Sequence, residues 1–206
     1  MSDKPKQRLI LFLDAQNFYR GARRAFFSPQ DSSVCGQIDP MKLADLLCSF
    51  RKQPEDTMVH EVRVYTGRPD ATKEPKTYAA HMKQCHAWAT AGVNVIHRSL
   101  RYPFDWPNTK AQEKGIDVTL AIDFVALAVQ GKYDVGVMAS SDTDLKPALE
   151  FVYREHGKLC NAGVEVACWH SLNSLSRLSI PGVNLWCHRL DRSHYDSIED
   201  NTDYNL

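Results

Sequence analysis

Five aspartates and one asparagine stand where their chemistry calls for an explanation. Asp14 closes an apolar run, RLILFLD, and Asn17 follows it in AQN. Asp142 and Asp144 close a second apolar run, in VGVMASSDTD, after Ser140 and Ser141. Asp117 and Asp123 belong to KGIDVTLAIDFVALA, a stretch otherwise nearly free of charge. A carboxylate just past a strand can cap the helix that follows, because free backbone N–H groups and the helix dipole favour it there. One cap needs one such side chain, and SSDTD offers several. An aspartate inside an apolar helix is costly unless it is paired, hydrogen-bonded or metal-bound, so Asp123 calls either for a Ser or Arg partner or for a cation. Carboxylates that converge repel by about 4 kcal/mol per pair at ~4 Å and an effective dielectric of ~20. Convergence therefore requires protonation or a cation, and oxygen donors without His or Cys favour Mg2+ or Mn2+.

These side chains need elements to bring them together. Apolar runs predict strands at 8–14, 59–66, 93–98, 134–140 and 164–169, with a sixth at 183–188. Helical periodicity falls between them, at 17–27, 40–50, 76–91, 116–130, 144–156 and around 172–178. Alternation of this kind predicts an α/β fold: a three-layer α/β/α sandwich around a mainly parallel sheet of five or six strands. In such sheets ligands gather at the carboxyl ends of the strands, where strand order reverses. Asp14, Asp142 and Asp144 all lie just past strand ends. Asp117 and Asp123 lie about 240° apart around a helix, so they share a site only if Asp117 reaches in from the irregular helix start.

Lys plus Arg equals Asp plus Glu, 25 of each, so no global basic field exists and any polynucleotide contact must be local. The six cysteines show no CxxC spacing and read as reduced, mostly buried thiols. No signal-peptide core follows MSDKPKQR and no run approaches the ~20 apolar residues of a membrane span, which predicts a cytoplasmic chain. Two long connections, 28–39 and 100–114, fall outside the alternating frame and are of a length that is usually functional. Residues 1–190 read as one domain, and 191–206 as an acidic, mobile tail.

DAQNFY, KGIDVTLAIDF and YDVGVMASSDTDLKPALEF occur in an order that resembles the NYN domain, a branch of the PIN-like nuclease superfamily that includes the LabA-like proteins. The resemblance implies a PIN-like, Rossmann-like fold and an acidic cluster that binds Mg2+ or Mn2+ for RNA cleavage, leaving 5′-phosphate and 3′-hydroxyl ends. Carried over, Asp14, Asp117, Asp142 and Asp144 form the metal-binding and catalytic set, with Asp123 an alternative helix ligand. Asn17 matches the family's asparagine and orients Asp14 or a bound water. Ser141 stands where relatives commonly carry glycine.

For the RNA itself, Arg20, Arg23 and Arg24 share one helix face beside the strand end. The 98–114 segment adds Arg101 and Lys114 among Tyr102, Phe104 and Trp106, a mix suited to phosphate contact and base stacking. Ser140 and Ser141 complete the candidate RNA contacts. The aromatics could instead anchor the loop or form a homodimer contact. Two other function classes compete: a catalytically weak RNA-binding regulatory module that keeps the acidic pocket, and a phosphatase of the haloacid dehalogenase type. The latter needs an aspartate where this chain has Gln16.

Overall fold

The structure, a computed structural model, describes residues 5–51, 54–172 and 177–206. Six strands, β1 (Gln7–Asp14), β2 (Thr57–Arg68), β3 (Asn94–Ser99), β4 (Val135–Ala139), β5 (Gly163–Trp169) and β6 (Trp186–Leu190), form one sheet in the order β3-β2-β1-β4-β5-β6. Every pairing is parallel. The helices are α1 (Ala15–Phe26), α2 (Pro40–Ser49), α3 (Pro75–Thr90), α4 (Ile116–Val129), α5 (Lys146–Arg154) and α6 (Arg192–Ile198). The sandwich expected from the alternation is therefore present, with β1 and β4 at its centre.

Both faces of the sheet are covered, which is why β1 is apolar at successive positions instead of alternating. Leu9, Leu11 and Leu13 pack with residues of α1, α2 and α6. Ile10 and Phe12 face the opposite way, into a second cluster with α4 and α5. There Phe12 meets Phe124 and Tyr133 edge-on, with centroids 4.9 and 5.5 Å apart. Gly136 of β4 leaves room for these rings, since a Cβ on it would lie 2.8 Å from Phe124 and Tyr133. α4 buries Ile116, Leu120, Phe124 and Ala128, one stripe at four-residue spacing.

Strand order reverses between β1 and β4, because β2 and β3 lie on one side of β1 and β4 to β6 on the other. The crevice past the carboxyl ends of these two strands is where such a sheet binds ligands.

Three expectations change. The helix expected from 144 starts as a 3₁₀ turn, Thr143–Leu145, before α5, whose Pro147 sits in the first turn, where a missing N–H costs nothing. The last strand lies later than 183–188, because Pro181-Gly182 makes a turn in which the Val183 N–H bonds the Ile180 carbonyl (3.1 Å). The acidic segment from 191 does not trail free. Asp191 caps α6 in a capping box with His194, and α6 buries Tyr195 and Ile198. The Tyr195 hydroxyl accepts from the Gly36 N–H (2.8 Å), which ties this helix to the connection at 28–39. The short helix expected around 172–178 falls largely on residues outside those described. Among the described residues no helix is long and apolar enough to cross a membrane.

Candidate functional site

Asp14 ends β1 and is the N-cap of α1, accepting the Asn17 N–H (3.1 Å). Its other oxygen accepts the Ser140 hydroxyl proton (3.0 Å), and that hydroxyl accepts the Asp142 N–H (3.1 Å). The Ser140 bond thus joins the end of β1 to the turn after β4, across the point where strand order reverses, and the Asp142 N–H extends it along the turn. Asn17 makes a second bridge. Its carbonyl accepts both the Ser141 N–H (3.0 Å) and the Ser141 hydroxyl (2.9 Å). Because a backbone N–H can only donate, the amide orientation is fixed, and its NH2 group has no partner among the described residues. Asp142 caps the 3₁₀ turn by accepting the Asp144 N–H (3.0 Å).

Asp14 is buried and faces no cation among its hydrogen-bond partners. Burial pushes its carboxyl up to about 6, against the two hydrogen bonds that favour the charged form, and the negative charges of Glu113 and Asp142 push the same way. Glu113 comes from the long connection before α4. It accepts the Gly67 N–H at the end of β2 (2.7 Å), and its own carboxyl is raised by burial and by Asp117, with Arg20 acting in the opposite sense. Gly67 must be small: a Cβ there would lie 2.7 Å from the Glu113 carboxylate and would also press on Leu100. Gln16 bridges Glu113 to Arg20 when its amide is turned to satisfy both, donating to Glu113 (3.1 Å) and accepting from Arg20 (2.7 Å). Glu113 was not singled out in the sequence. It stands at the end of an irregular connection, where no periodicity indicates which way a side chain faces, and the only signal was its place just before Lys114-Gly115.

Asp14, Asp142 and Asn17 are thus joined in one network, with Glu113 acting on it from the α4 side and Asp117 acting on Glu113. Asp144 sits exposed on the 3₁₀ turn. Asp123 is elsewhere. A rise of 1.5 Å per residue puts it about 9 Å further along α4 than Asp117, and its carboxylate accepts from the Arg63 guanidinium (2.8 Å) and the Tyr65 hydroxyl (2.9 Å). Asp123 as a metal ligand is therefore corrected: its charge is already compensated by arginine, the alternative raised from the sequence.

Among the described residues no three His, Cys, Asp or Glu side chains converge closely enough to hold an ion as they stand. The donor chemistry nevertheless fits a hard divalent cation. Asp14 is a buried carboxylate with no positive partner and with acidic neighbours on both flanks, and the surrounding donors are oxygens.

The expected RNA contacts divide sharply. Ser140 is buried and bonded inside the network, so it cannot touch a polymer. Ser141 is held by Asn17. Arg23 donates to the carbonyls of Ser32 (2.5 Å), Cys35 (2.9 Å) and Asp31 (2.9 Å), so its guanidinium pins the connection at 28–39. Trp106 packs edge-on against Tyr102 (5.6 Å) beneath the Lys73 ammonium, so it anchors the 100–114 connection to the body. Tyr102 itself donates to Glu74 (2.5 Å) and accepts the Asp70 N–H (2.9 Å), and Arg101 and Gln112 close the connection by paired backbone bonds. Arg24, Arg101 and Lys114 remain exposed, as does the whole ring of Phe104.

A cleft of about 680 Å³ adjoins the network, lined among others by Gln16, Arg20, Trp88, Trp106 and Lys110. None of the candidate metal carboxylates lines it. Gln16 and Arg20 connect the two features. Tyr204 and Asn205 form part of its wall, and the Lys83 ammonium donates to the Leu206 carbonyl (2.7 Å) beside them.

The profile of the NYN domain matches residues 8–167. Among curated proteins no sequence match was found. The fold is similar to the crystal structure of a protein of unknown function from Vibrio parahaemolyticus, with a TM-score of 0.52 and 16% identity over 81% of this chain and 84% of that one.

Proposed function

Since the chain belongs to the NYN domain family, part of the PIN-like nuclease superfamily, we propose that it is a Mg2+- or Mn2+-dependent ribonuclease whose acidic network hydrolyses RNA phosphodiester bonds. The observation that carries this reading is Asp14. Its carboxylate is buried at the crevice between β1 and β4, has no cationic partner among the described residues, and is further repelled by Glu113 and Asp142. A structural cap would not need to be both buried and surrounded by like charge.

In this reading Asp14 and Asp142 hold the ion, with Glu113 or Asp117 completing the set from the α4 side. When bound, such an ion activates water and neutralises charge on the phosphate. The chain's own groups do the rest. Ser140 holds the Asp14 carboxylate in one rotamer, so little reorganisation is needed on binding. The free NH2 group of Asn17 is available to a non-bridging phosphate oxygen, while its carbonyl stays anchored on Ser141. Arg20 and Lys110 on the cleft wall guide the polyanion toward the carboxylates, and the exposed Arg24, Arg101 and Lys114 add phosphate contacts.

The test is cleavage of end-labelled single-stranded RNA with Mg2+ or Mn2+, compared with EDTA and with Asp14→Asn. Metal-dependent products lost in the variant are expected. Two observations favour a second reading, a catalytically weak RNA-binding regulatory module: among the described residues the acidic side chains do not converge, and Asp142 is engaged as a cap. RNA retained on the protein without cleavage under any divalent ion would select that reading.

A further inference from the structure

Away from the acidic network, two thiols meet at the edge of the sheet. Cys168 Sγ and Cys187 Sγ are 3.6 Å apart. In the β5–β6 register Val166 lies opposite Cys187 and Cys168 opposite Arg189, so the two cysteines sit diagonally on one face of neighbouring strands. The sulfurs need to close by about 1.5 Å to reach the ~2.05 Å of a disulfide bond, and because diagonal neighbours lie ~7–8 Å apart that closure takes a shift of the edge strand β6. Their environments differ. Cys168 is buried, whereas Cys187 is partly exposed. Cys187 is also the more acidic thiol, held below the usual range by its contact with Cys168 and by Arg177, while the same contact raises Cys168. An accessible, cation-flanked thiol beside a shielded second thiol is the arrangement of an attacking and a resolving cysteine. The other four cysteines offer no such neighbour: no thiol–thiol contact besides this one occurs among the described residues.

We propose that Cys187 and Cys168 form a redox-active pair that a peroxide converts to an intramolecular disulfide. The Cys187 thiolate attacks one peroxide oxygen, the O–O bond breaks, and the departing hydroxide takes a proton to become water. Cys187 is thereby oxidised by two electrons to a sulfenic acid, and the peroxide is reduced. The Cys168 sulfur then attacks Cys187 sulfur. The S–O bond breaks, the S–S bond forms, and the Cys168 proton leaves with the hydroxide as a second water. The bond would join β5, the neighbour of β4, to the edge strand β6.

Stoichiometric hydrogen peroxide, followed by alkylation and peptide mapping of the whole chain, tests this. The six alkylatable thiols should fall by two, with a dithiothreitol-reversible link between the peptides carrying Cys168 and Cys187. Cys168→Ser should instead accumulate a sulfenic acid at Cys187 that dimedone traps, and Cys187→Ser should slow thiol loss at least tenfold. Full alkylation of the wild type after peroxide, a link to a different cysteine, or a Cys187→Ser variant that oxidises at the wild-type rate would each overturn the proposal. The wild-type map needs no variant to fold.

Discussion

Asp14 and Asp123 are carboxylates set among apolar neighbours on the same side of one sheet, and the protein treats them in opposite ways. Asp123 receives the Arg63 guanidinium and the Tyr65 hydroxyl, and Arg63 is held in turn by Glu61 (2.6 Å). Its charge is balanced within the chain. Asp14 receives only neutral donors, the Asn17 N–H and the Ser140 hydroxyl, while the nearby charges that act on it are those of Glu113 and Asp142. The same division runs through the arginines of α1. Arg23 is engaged by three carbonyls, whereas Arg24 is exposed. Charges that the fold compensates serve the fold, and those it leaves uncompensated at a crevice are available to a ligand.

The largest effect that would break this comparison is at Asp14. Asp14→Asn should lower RNA cleavage by more than about a hundredfold, since even groups behind metal ligands cost 10- to 100-fold. Stability should move the other way, and the sign follows from linkage. Folding raises this carboxyl to about 6 from an ordinary 3.8, so the folded state binds the proton more tightly and stability declines as pH rises between those values. Above pH 6 the ionised group costs at most about 3 kcal/mol. Like the protonated acid, an asparagine still accepts the Asn17 N–H through its oxygen and can donate to Ser140 Oγ, with the Ser140 proton turned elsewhere. The variant should therefore be more stable than wild type at pH 7.5 and indistinguishable near pH 4, by urea denaturation. Lower stability at pH 7.5 would make Asp14 a structural cap.

At Asp123 the opposite is expected. Arg63→Met leaves a partly buried carboxylate with only Tyr65, and should cost about 2–4 kcal/mol at pH 7. Adding Asp123→Asn should recover part of that loss, because the uncompensated charge is then gone. A neutral Arg63→Met, or no recovery in the double variant, would mean that the pair is not what stabilises this part of α4.

Much of this division could be read from the sequence, but not all of it. The strand ends located Asp14, Asn17 and Asp142, because apolar runs mark where a buried strand stops and parallel topology puts those stops on one edge. The partner of Asp123 was not legible, since Arg63 lies in a distant strand and only β2 register brings it under α4. Nor was the engagement of Arg23, which depends on how the connection at 28–39 folds back. Three arginines at helical spacing look alike until the loop beside them is placed. α6 was misjudged for a related reason: its buried residues, Tyr195 and Ile198, are too few for a periodic signal in an acidic stretch.

Divalent ions sharpen the comparison next. Mg2+ or Mn2+ should raise the melting temperature of the wild type and leave Asp14→Asn unchanged, since an ion that binds only the folded state stabilises it by mass action. Proton and metal compete for Asp14, so apparent affinity should fall up to about tenfold per pH unit below 6 and level off above it. Affinity that is flat across pH 5–7 would place the ion on other carboxylates. A smaller loss is expected from Gly67→Ala, whose Cβ would displace the Glu113 carboxylate while leaving Asp14 and Asp142 bonded as they are. Cleavage should drop about tenfold, and Glu113→Gln should show a comparable drop. Wild-type rates in both would remove Glu113 from the site.

The smallest effect concerns the arginines, and it separates an available charge from an engaged one most directly. Arg24→Ala removes an exposed cation that makes no hydrogen bond among the described residues, so melting temperature should not change. If Arg24 meets a phosphate, RNA binding should weaken a few-fold, and the slope of log K against log salt should fall by about 0.7, because one fewer counterion is released from a single strand. Arg23→Ala should do the reverse. It loses the bonds to Asp31, Ser32 and Cys35, leaves those carbonyls to find other donors, and should cost about 1–3 kcal/mol of stability. Its salt slope should match wild type, since a guanidinium committed to carbonyls neutralises no phosphate. A wild-type slope in both variants would show that neither Arg23 nor Arg24 meets a phosphate and that the strand passes Arg20 toward the Arg101–Lys114 side instead.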